Sequence, residues 1–353
     1  PLIIVYPSGT TGQPKGAVHS HVTLRNAENI CRWMHIEEGD VILGHMPFYH
    51  VAGAIASVEP AILKAATIVT MAHWEPAEAI RVIARERVNV MGGIPTHFID
   101  LIDQKRRDPV DTKCLKSAWI GGADVSPTVA QAARDLLGLD ALMAVYGMTE
   151  TSACTTLARF EDPLEVTCDN RGLPVGEFEV KVVDLQTRAD LPAGQEGEVC
   201  VRGHIVMLGY YKNPEATAEA IDKDGWFRTG DLGRFDDAGY LKITGRAKEM
   251  FIVGGSNAYP AEIEQAIQAH PAVKQAVVVG APHPRLGEVG HAFVQTEDDA
   301  AATAEEIVAW CRERLADYKV PRRVVFVEDF PRTSTGKIQR FVLAAEARDA
   351  AAA

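Results

Sequence analysis

The sequence lacks an apolar run long enough for a membrane span. Its most apolar stretch, Val51 to Ala72, is broken by Glu59, Pro60 and Lys64, whereas a spanning helix needs about 20 predominantly apolar residues. Positive charge is short: 36 basic residues stand against 48 acidic ones, for a net of −12. That balance removes the basic footprint a nucleic-acid partner requires, but not a nucleotide ligand, which needs only a local nest of donors. Cysteine is sparse and scattered. Cys31, Cys114, Cys154, Cys168, Cys200 and Cys311 form no pair at the spacing of a zinc knuckle or redox motif. This pattern reads as reduced thiols in a cytoplasmic protein. No signal peptide is visible, and Pro1 in place of Met reads as a processed product or a fragment.

With 353 residues, the chain has room for two or three domains with sizeable cores. Over the first half, short β-branched runs alternate with helical patterns, the signature of an α/β sheet layered with helices. Ala66 to Met71, Lys116 to Ile120 and Leu142 to Val145 read as buried strands. Pro76 to Val88 places Ile80, Ile83, Ala84 and Val88 on one helical face. Ser126-Pro127 opens a helix that Gly138 closes. From Phe178 alternation takes over, at Val180 and Val182, Glu198 to Arg202 and Tyr240 to Thr244, which predicts a small antiparallel β unit. After Gly245 the period changes again: Pro260 opens a helix, Val273 to Val279 and Ala292 to Val294 read as strands, and Thr303 to Glu306 is a capping box. The domain boundary is therefore expected near Arg246 to Glu249, with an N-terminal domain over 1–246 and a compact α+β domain over 247–353.

The sharpest chemical signal is Ser8-Gly9-Thr10-Thr11-Gly12-Gln13-Pro14-Lys15-Gly16, following the apolar strand Leu2 to Tyr6. Glycines let backbone N–H groups converge on an anion, hydroxyls add donors, and the lysine adds a point charge. Pro14 before the lysine rules out a Walker A loop. A flexible surface loop is the bland alternative. Tyr146-Gly147-Met148-Thr149-Glu150 follows a strand, where an aromatic, a glycine, a hydroxyl and a carboxylate suit ring stacking, phosphate contact and Mg²⁺ ligation. Gly121-Gly122-Ala123-Asp124 could set bare backbone against a flat base, or be an ordinary strand-to-helix turn. Asp231, in Arg228-Thr229-Gly230-Asp231, could accept a ribose diol or cap a turn. Lys337, in Thr335-Gly336-Lys337, is either a solvated charge or a group that acts on a site in the other domain.

Together these segments resemble the adenylate-forming superfamily of acyl-CoA synthetases, luciferases and peptide-synthetase adenylation domains, in the family's order from Tyr6 to Lys337. Gly197-Glu198-Val199-Cys200-Val201-Arg202-Gly203 matches its Gly-Glu-x-x-x-Arg-Gly motif. Gly245-Arg246-Ala247-Lys248-Glu249 resembles its hinge, followed by Gly254-Gly255-Ser256-Asn257 and Pro260-Ala261-Glu262-Ile263-Glu264. The resemblance implies a large N-terminal adenylate-forming domain and a mobile C-terminal domain. It implies that Ser8, Gly9, Thr10, Thr11, Gly12 and Lys15 hold the phosphates of ATP, that Glu150 binds Mg²⁺, and that Thr149 contacts the α-phosphate. Tyr146, Gly147, Gly122 and Ala123 would flank adenine, Asp231 and Arg246 the ribose. Lys337 would bridge the substrate carboxylate and the α-phosphate. Lys248 would be the hinge, and Gly254-Gly255 would face coenzyme A.

Pro47-Phe48-Tyr49-His50-Val51-Ala52-Gly53 resembles the Pro-x-x-His segment of acyl-CoA synthetases. It lacks the aspartate that pairs a substrate ammonium in amino-acid-activating relatives, and an unpaired buried ammonium is costly. With His50, Phe98 and Met148 as expected pocket residues, the acid reads as fatty, alicyclic or aromatic, although a hydrogen-bonded core histidine is an equal account of His50. The expected activity is AMP-forming acid–CoA ligation with ATP, Mg²⁺ and CoA, in a cytoplasmic protein of fatty acid metabolism, with a homodimer among the allowed assemblies. Departures are Pro7 in place of a hydroxyl residue, Ala123-Asp124 in place of a glutamate, and the lack of the family's segment before the phosphate loop. The last keeps open a truncated, non-catalytic nucleotide- or acyl-binding fragment or half of a split assembly; within the enzyme class, a luciferase-like oxidase or an acyl-AMP ligase loading a carrier protein stays open. Removing one preorganised donor typically lowers a rate about 10²–10³-fold. Lys337→Ala is expected to slow acid-dependent ATP–pyrophosphate exchange by at least that scale; unchanged exchange would remove Lys337 from the chemistry.

Overall fold

The computed structural model describes residues 1–6, 15–123, 125–297, 302–333 and 338–352. They form two compact units, Pro1–Thr229 with Arg234–Ile243, and Gly230–Gly233 with Thr244–Ala353.

Among the described residues the main sheet has eleven strands. Five at one end are parallel, in the order Thr67–Thr70, Val41–Gly44, Val90–Gly93, Ser117–Gly121 and Ala141–Tyr146. Helices cover both faces, as an apolar parallel sheet requires. On one face Pro76–Glu86, Pro95–Arg107 and Pro127–Leu137 bury Ile80, Ile83, Phe98, Leu101, Ala133 and Leu137 against Ile120. Each of these helices opens on a proline, whose missing N–H has no helical partner to lose. Gly138 ends the third in the left-handed region, but Ser126 makes no side-chain cap bond there. On the other face Thr23–Trp33 and the segment 51–63 pack Ile30, Met34 and Ala61 over Trp119 and Met143. The α/β class expected from the sequence is what folds.

Two details differ from the sequence reading. Thr67–Thr70 is not buried, because it lies at the end of the strand order and pairs on one side only among the described residues. The antiparallel strands after Phe178 are joined to the parallel ones in a single sheet, through Thr156–Leu157 and Arg171–Pro174. Those connecting strands are two and four residues long, too short for an alternation to show. A separate small sheet pairs Ile3–Val5 with Ala17–His19, and the latter with Gly209–Tyr210.

The second unit carries a five-stranded sheet in which Val273–His283 and Gly287–Thr296 form the long central hairpin. Buried Glu264, on the helix Pro260–Gln268, accepts both guanidinium bonds of Arg340 at 2.6 Å and the Val278 N–H at 2.6 Å. This charge-assisted fork fastens the start of the C-terminal helix Arg340–Ala352 to the sheet. The capping box at Thr303 and Glu306 forms as expected. No helix among the described residues is long and apolar enough to cross a membrane.

Parallel strands deliver all their C-terminal ends to one edge, where open α/β sheets bind ligands. Two neutral imidazoles are built into that edge. His45 follows the strand Val41–Gly44, and its Nε2 lies 3.3 Å from Nδ1 of His97, on the helix after Val90–Gly93. Burial, and then the neighbouring His97, push His45 down to about 3; burial pushes His97 down to about 4. Both groups bind protons less readily folded than unfolded. Their contribution is complete above the ordinary value near 6.5 and is lost as pH falls toward 4 and then 3, by at most about 1.4 kcal/mol per pH unit per histidine. Denaturant titrations at pH 7.5 and pH 5 are expected to give a lower midpoint at pH 5, and His97→Gln a shallower dependence.

Candidate active site

The strand Ala141–Tyr146 runs into a tight turn carrying Thr149 and Glu150. Gly147 is obligatory: a Cβ there would sit 2.0 Å from the Ala153 carbonyl oxygen, so only glycine lets the chain fold back on itself. Ser152 and Ala153 then follow in the left-handed region, at φ 54° and 73°. Such non-glycine residues persist only where their surroundings over-determine them. Three distant elements do so here. Asn26 donates to the carbonyls of Ser152 (2.8 Å) and Cys154 (2.9 Å). Ser152 Oγ donates to the Ile205 carbonyl at 2.8 Å. His19 holds the other end, its Nε2 lying 2.7 Å from the Thr149 carbonyl. A carbonyl only accepts, so Nε2 carries the proton. Burial holds the His19 imidazole below its ordinary value, against the opposing pull of the Thr149 bond. Thr149 and Glu150 are themselves buried, at 5% and 8% exposure.

Facing this turn is the chain from Gly16 onward, which follows the small-residue segment in sequence. Ala17–His19 pairs with Gly209–Tyr210 through Val18↔Gly209 and Ala17↔Tyr210. The Tyr211 N–H donates to the Gly16 carbonyl at 2.7 Å, and the Met207 N–H to the Glu150 carbonyl at 2.8 Å. The Tyr210 hydroxyl donates to Glu150 Oε1 at 2.8 Å, and Lys15 Nζ stands 5.2 Å from the centroid of the same ring. Burial, then the Glu150 charge, push the phenol above its ordinary range, so it remains a donor. Lys15 and Glu150, 135 positions apart by their numbers, are thus brought to one side chain. Sequence reasoning missed Tyr210, His19 and Asn26. Their only signal is a polar or aromatic residue beside an apolar strand or helix, too common to single out.

Other expected residues fall as follows. Gly121 ends its strand opposite Val145, Gly122 and Ala123 are exposed, and Tyr146 is half-buried. His50 caps the helix that follows, its Nδ1 accepting from the Ala52 N–H at 3.2 Å. Phe98 is fully buried, a member of the core cluster that includes Ala79, Ile83 and Leu101. Met148 is half-buried against Ala17, Met207 and Phe227. In the second unit Arg246 Nε pairs with the buried Asp231 carboxylate at 2.9 Å, and Lys248 is exposed. Gly254 and Gly255 join Phe251–Val253 to Ser256–Ala258 with φ 57° and 89°. That is the two-residue hairpin turn with both central residues left-handed, which itself accounts for both glycines. Ser8, Gly9, Thr10, Thr11, Gly12 and Lys337 lie outside the described residues.

The family model for AMP-binding enzymes matches residues 1–211, and that for the AMP-binding enzyme C-terminal domain matches residues 262–337. The chain belongs to the AMP-binding enzyme family. Among relatives within it, a methyl-dioxo-octahydroindenyl-propanoyl:CoA ligase of Rhodococcus jostii (strain RHA1) is 37% identical over 347 residues, 97% of this chain and 64% of the relative. A mitochondrial medium-chain acyl-CoA ligase of Bos taurus is 36% identical over 350 residues, covering 97% of this chain and 57% of the relative. The chain therefore spans about three-fifths of the length of these curated family members. ATP-bound MatB from Rhodopseudomonas palustris superposes with a TM-score of 0.88 at 32% identity, over 99% of this chain and 68% of that one.

His19→Leu leaves the Thr149 carbonyl without its donor in a dry site, which typically costs about 1–3 kcal/mol. Urea unfolding is expected to show that loss. A change below about 0.5 kcal/mol, the size of an ordinary surface substitution, would mean the turn holds without His19.

Proposed function

We propose that this chain is the adenylating part of an AMP-forming acid–thiol ligase, joining a carboxylic acid to CoA through an acyl-adenylate. The observation that carries the reading is the clamped Thr149–Glu150 turn, a buried hydroxyl and carboxylate joined through Tyr210 to Lys15, the residue that closes a glycine- and threonine-rich stretch of sequence, within an AMP-binding family match.

In the first half-reaction a carboxylate oxygen attacks the α-phosphorus of ATP, a P–O bond forms, and the bond to pyrophosphate breaks. The difficulty is charge: an anion approaches a phosphorus already ringed by negative oxygens. Fixed donors and cations that need no reorganisation when charge develops lower that barrier. Lys15 offers its ammonium to the outer phosphates and the Thr149 hydroxyl a donor to the α-phosphate. Asp231, held by Arg246, takes the ribose hydroxyls, and Lys337 supplies the positive charge shared by the carboxylate and α-phosphate oxygens. The described residues contain no cluster of three or more metal-ligating side chains. Mg²⁺ on a nucleotide needs only one or two protein carboxylates, since phosphates and water complete its shell. Glu150 fits that demand, with one oxygen oriented by Tyr210. When bound there, the ion would neutralise phosphate charge. In the second half-reaction the thiol sulfur displaces AMP from the acyl carbon, with Lys248 as the pivot and Gly254-Gly255 on the thiol side.

For the acid, two things support a fatty, alicyclic or aromatic substrate: the segment at His50 contains no aspartate, and family members named above act on a medium-chain acid and on a fused-ring propanoic acid. The deciding experiment is ATP–pyrophosphate exchange with a panel of such acids, followed by mass detection of the acyl-CoA with and without CoA. Acid-dependent exchange and a CoA thioester are expected. Nucleotide binding without exchange would leave a non-catalytic fragment or one half of a split assembly, and exchange without thioester would point to a carrier-protein acceptor.

A further inference from the structure

One neutral side chain touches two oppositely charged groups of the candidate site. The Tyr210 hydroxyl donates to Glu150 Oε1 at 2.8 Å, and its ring face lies under the Lys15 ammonium at 5.2 Å. That second distance is within the range over which an aromatic quadrupole attracts a cation. The main chain around it is anchored to both partners' segments, through Tyr211 N–H to Gly16, Tyr210↔Ala17 pairing, and Met207 N–H to Glu150. Its own N–H is held by Thr217 Oγ1 at 2.9 Å.

An ammonium and a carboxylate at close range attract strongly where water is scarce, and a direct pair would spend both charges on each other before any ligand arrived. Tyr210 offers each a partner of its own: a hydroxyl proton for the carboxylate and a π face for the ammonium. We propose that Tyr210 is a positioning residue for metal-bound nucleotide, orienting the Glu150 carboxylate through its hydroxyl and the Lys15 ammonium through its ring. This rests on the nucleotide-binding part of the reading above and adds a residue that none of the sequence motifs contains.

The two functions are separable by substitution. Tyr210→Phe removes only the hydroxyl; Tyr210→Leu removes the ring as well. Binding is read by calorimetry with Mg·ATP and, separately, with ATP in EDTA. Loss of an outer-shell partner commonly weakens metal affinity by about tenfold or more, so Tyr210→Phe is expected to bind Mg·ATP about tenfold more weakly and metal-free ATP like the wild type. Tyr210→Leu is expected to lose a further two- to fivefold, roughly, in both conditions, the scale of an exposed cation–π contact. Combining Tyr210→Phe with Glu150→Gln should cost no more than Glu150→Gln alone, because both act on one carboxylate. Wild-type affinity for Mg·ATP in Tyr210→Phe, an equal loss with and without metal, or additive losses in the double variant would each overturn the proposal. Acid-dependent exchange by the wild type with an unaffected Tyr210→Phe would sink this proposal alone. No exchange with any acid, together with a metal-selective loss in Tyr210→Phe, would sink the ligase reading and support this one.

Discussion

Everything in the candidate site depends on one strained piece of backbone, the reversal from Gly147 to Thr155. Two consecutive left-handed, non-glycine residues would relax in a free loop. Here the Asn26 amide, the Ser152 hydroxyl and the His19 imidazole each hold it through buried hydrogen bonds to or from the main chain. Thr149 and Glu150 owe their positions to that constraint. A buried carboxylate is expensive to misplace, so fixing the turn also fixes where negative charge stands in the site.

The sheet supplies the remaining order. Parallel pairing brings Gly44, Gly93, Gly121 and Tyr146 to one edge, where the three glycines are buried and a side chain on each would run into Ile68, His97 or Val145. The small sheet of Ile3–Val5, Ala17–His19 and Gly209–Tyr210 joins the chain from Gly16 onward to the segment that clamps Glu150.

Much of this was legible from the residues. Loop, turn and strand signals located Tyr146 to Glu150 and the Lys15 segment because each is contiguous, with its chemistry written in adjacent letters. The strand at Thr67–Thr70 was found but its exposure was not, since a β-branched run reads alike in the middle and at the edge of a sheet. Phe98 was read as a pocket residue because it is apolar. On the helix Pro95–Arg107, however, it is fully buried in the core cluster that includes Ala79, Ile83 and Leu101. The glycines at 254 and 255 fit a functional motif and a hairpin turn equally well, and the turn geometry explains both.

By itself the amino-acid order determined the α/β class, the positions of most elements and the candidate phosphate-binding chemistry, because periodicity, capping residues and glycine-rich loops are short-range properties. Only the tertiary structure decided that His19 holds Thr149 across 130 residues and that Tyr210 holds Glu150 across 60. A hydrogen bond between residues so far apart leaves no trace in local spacing. It exists only once the sheets have set their register.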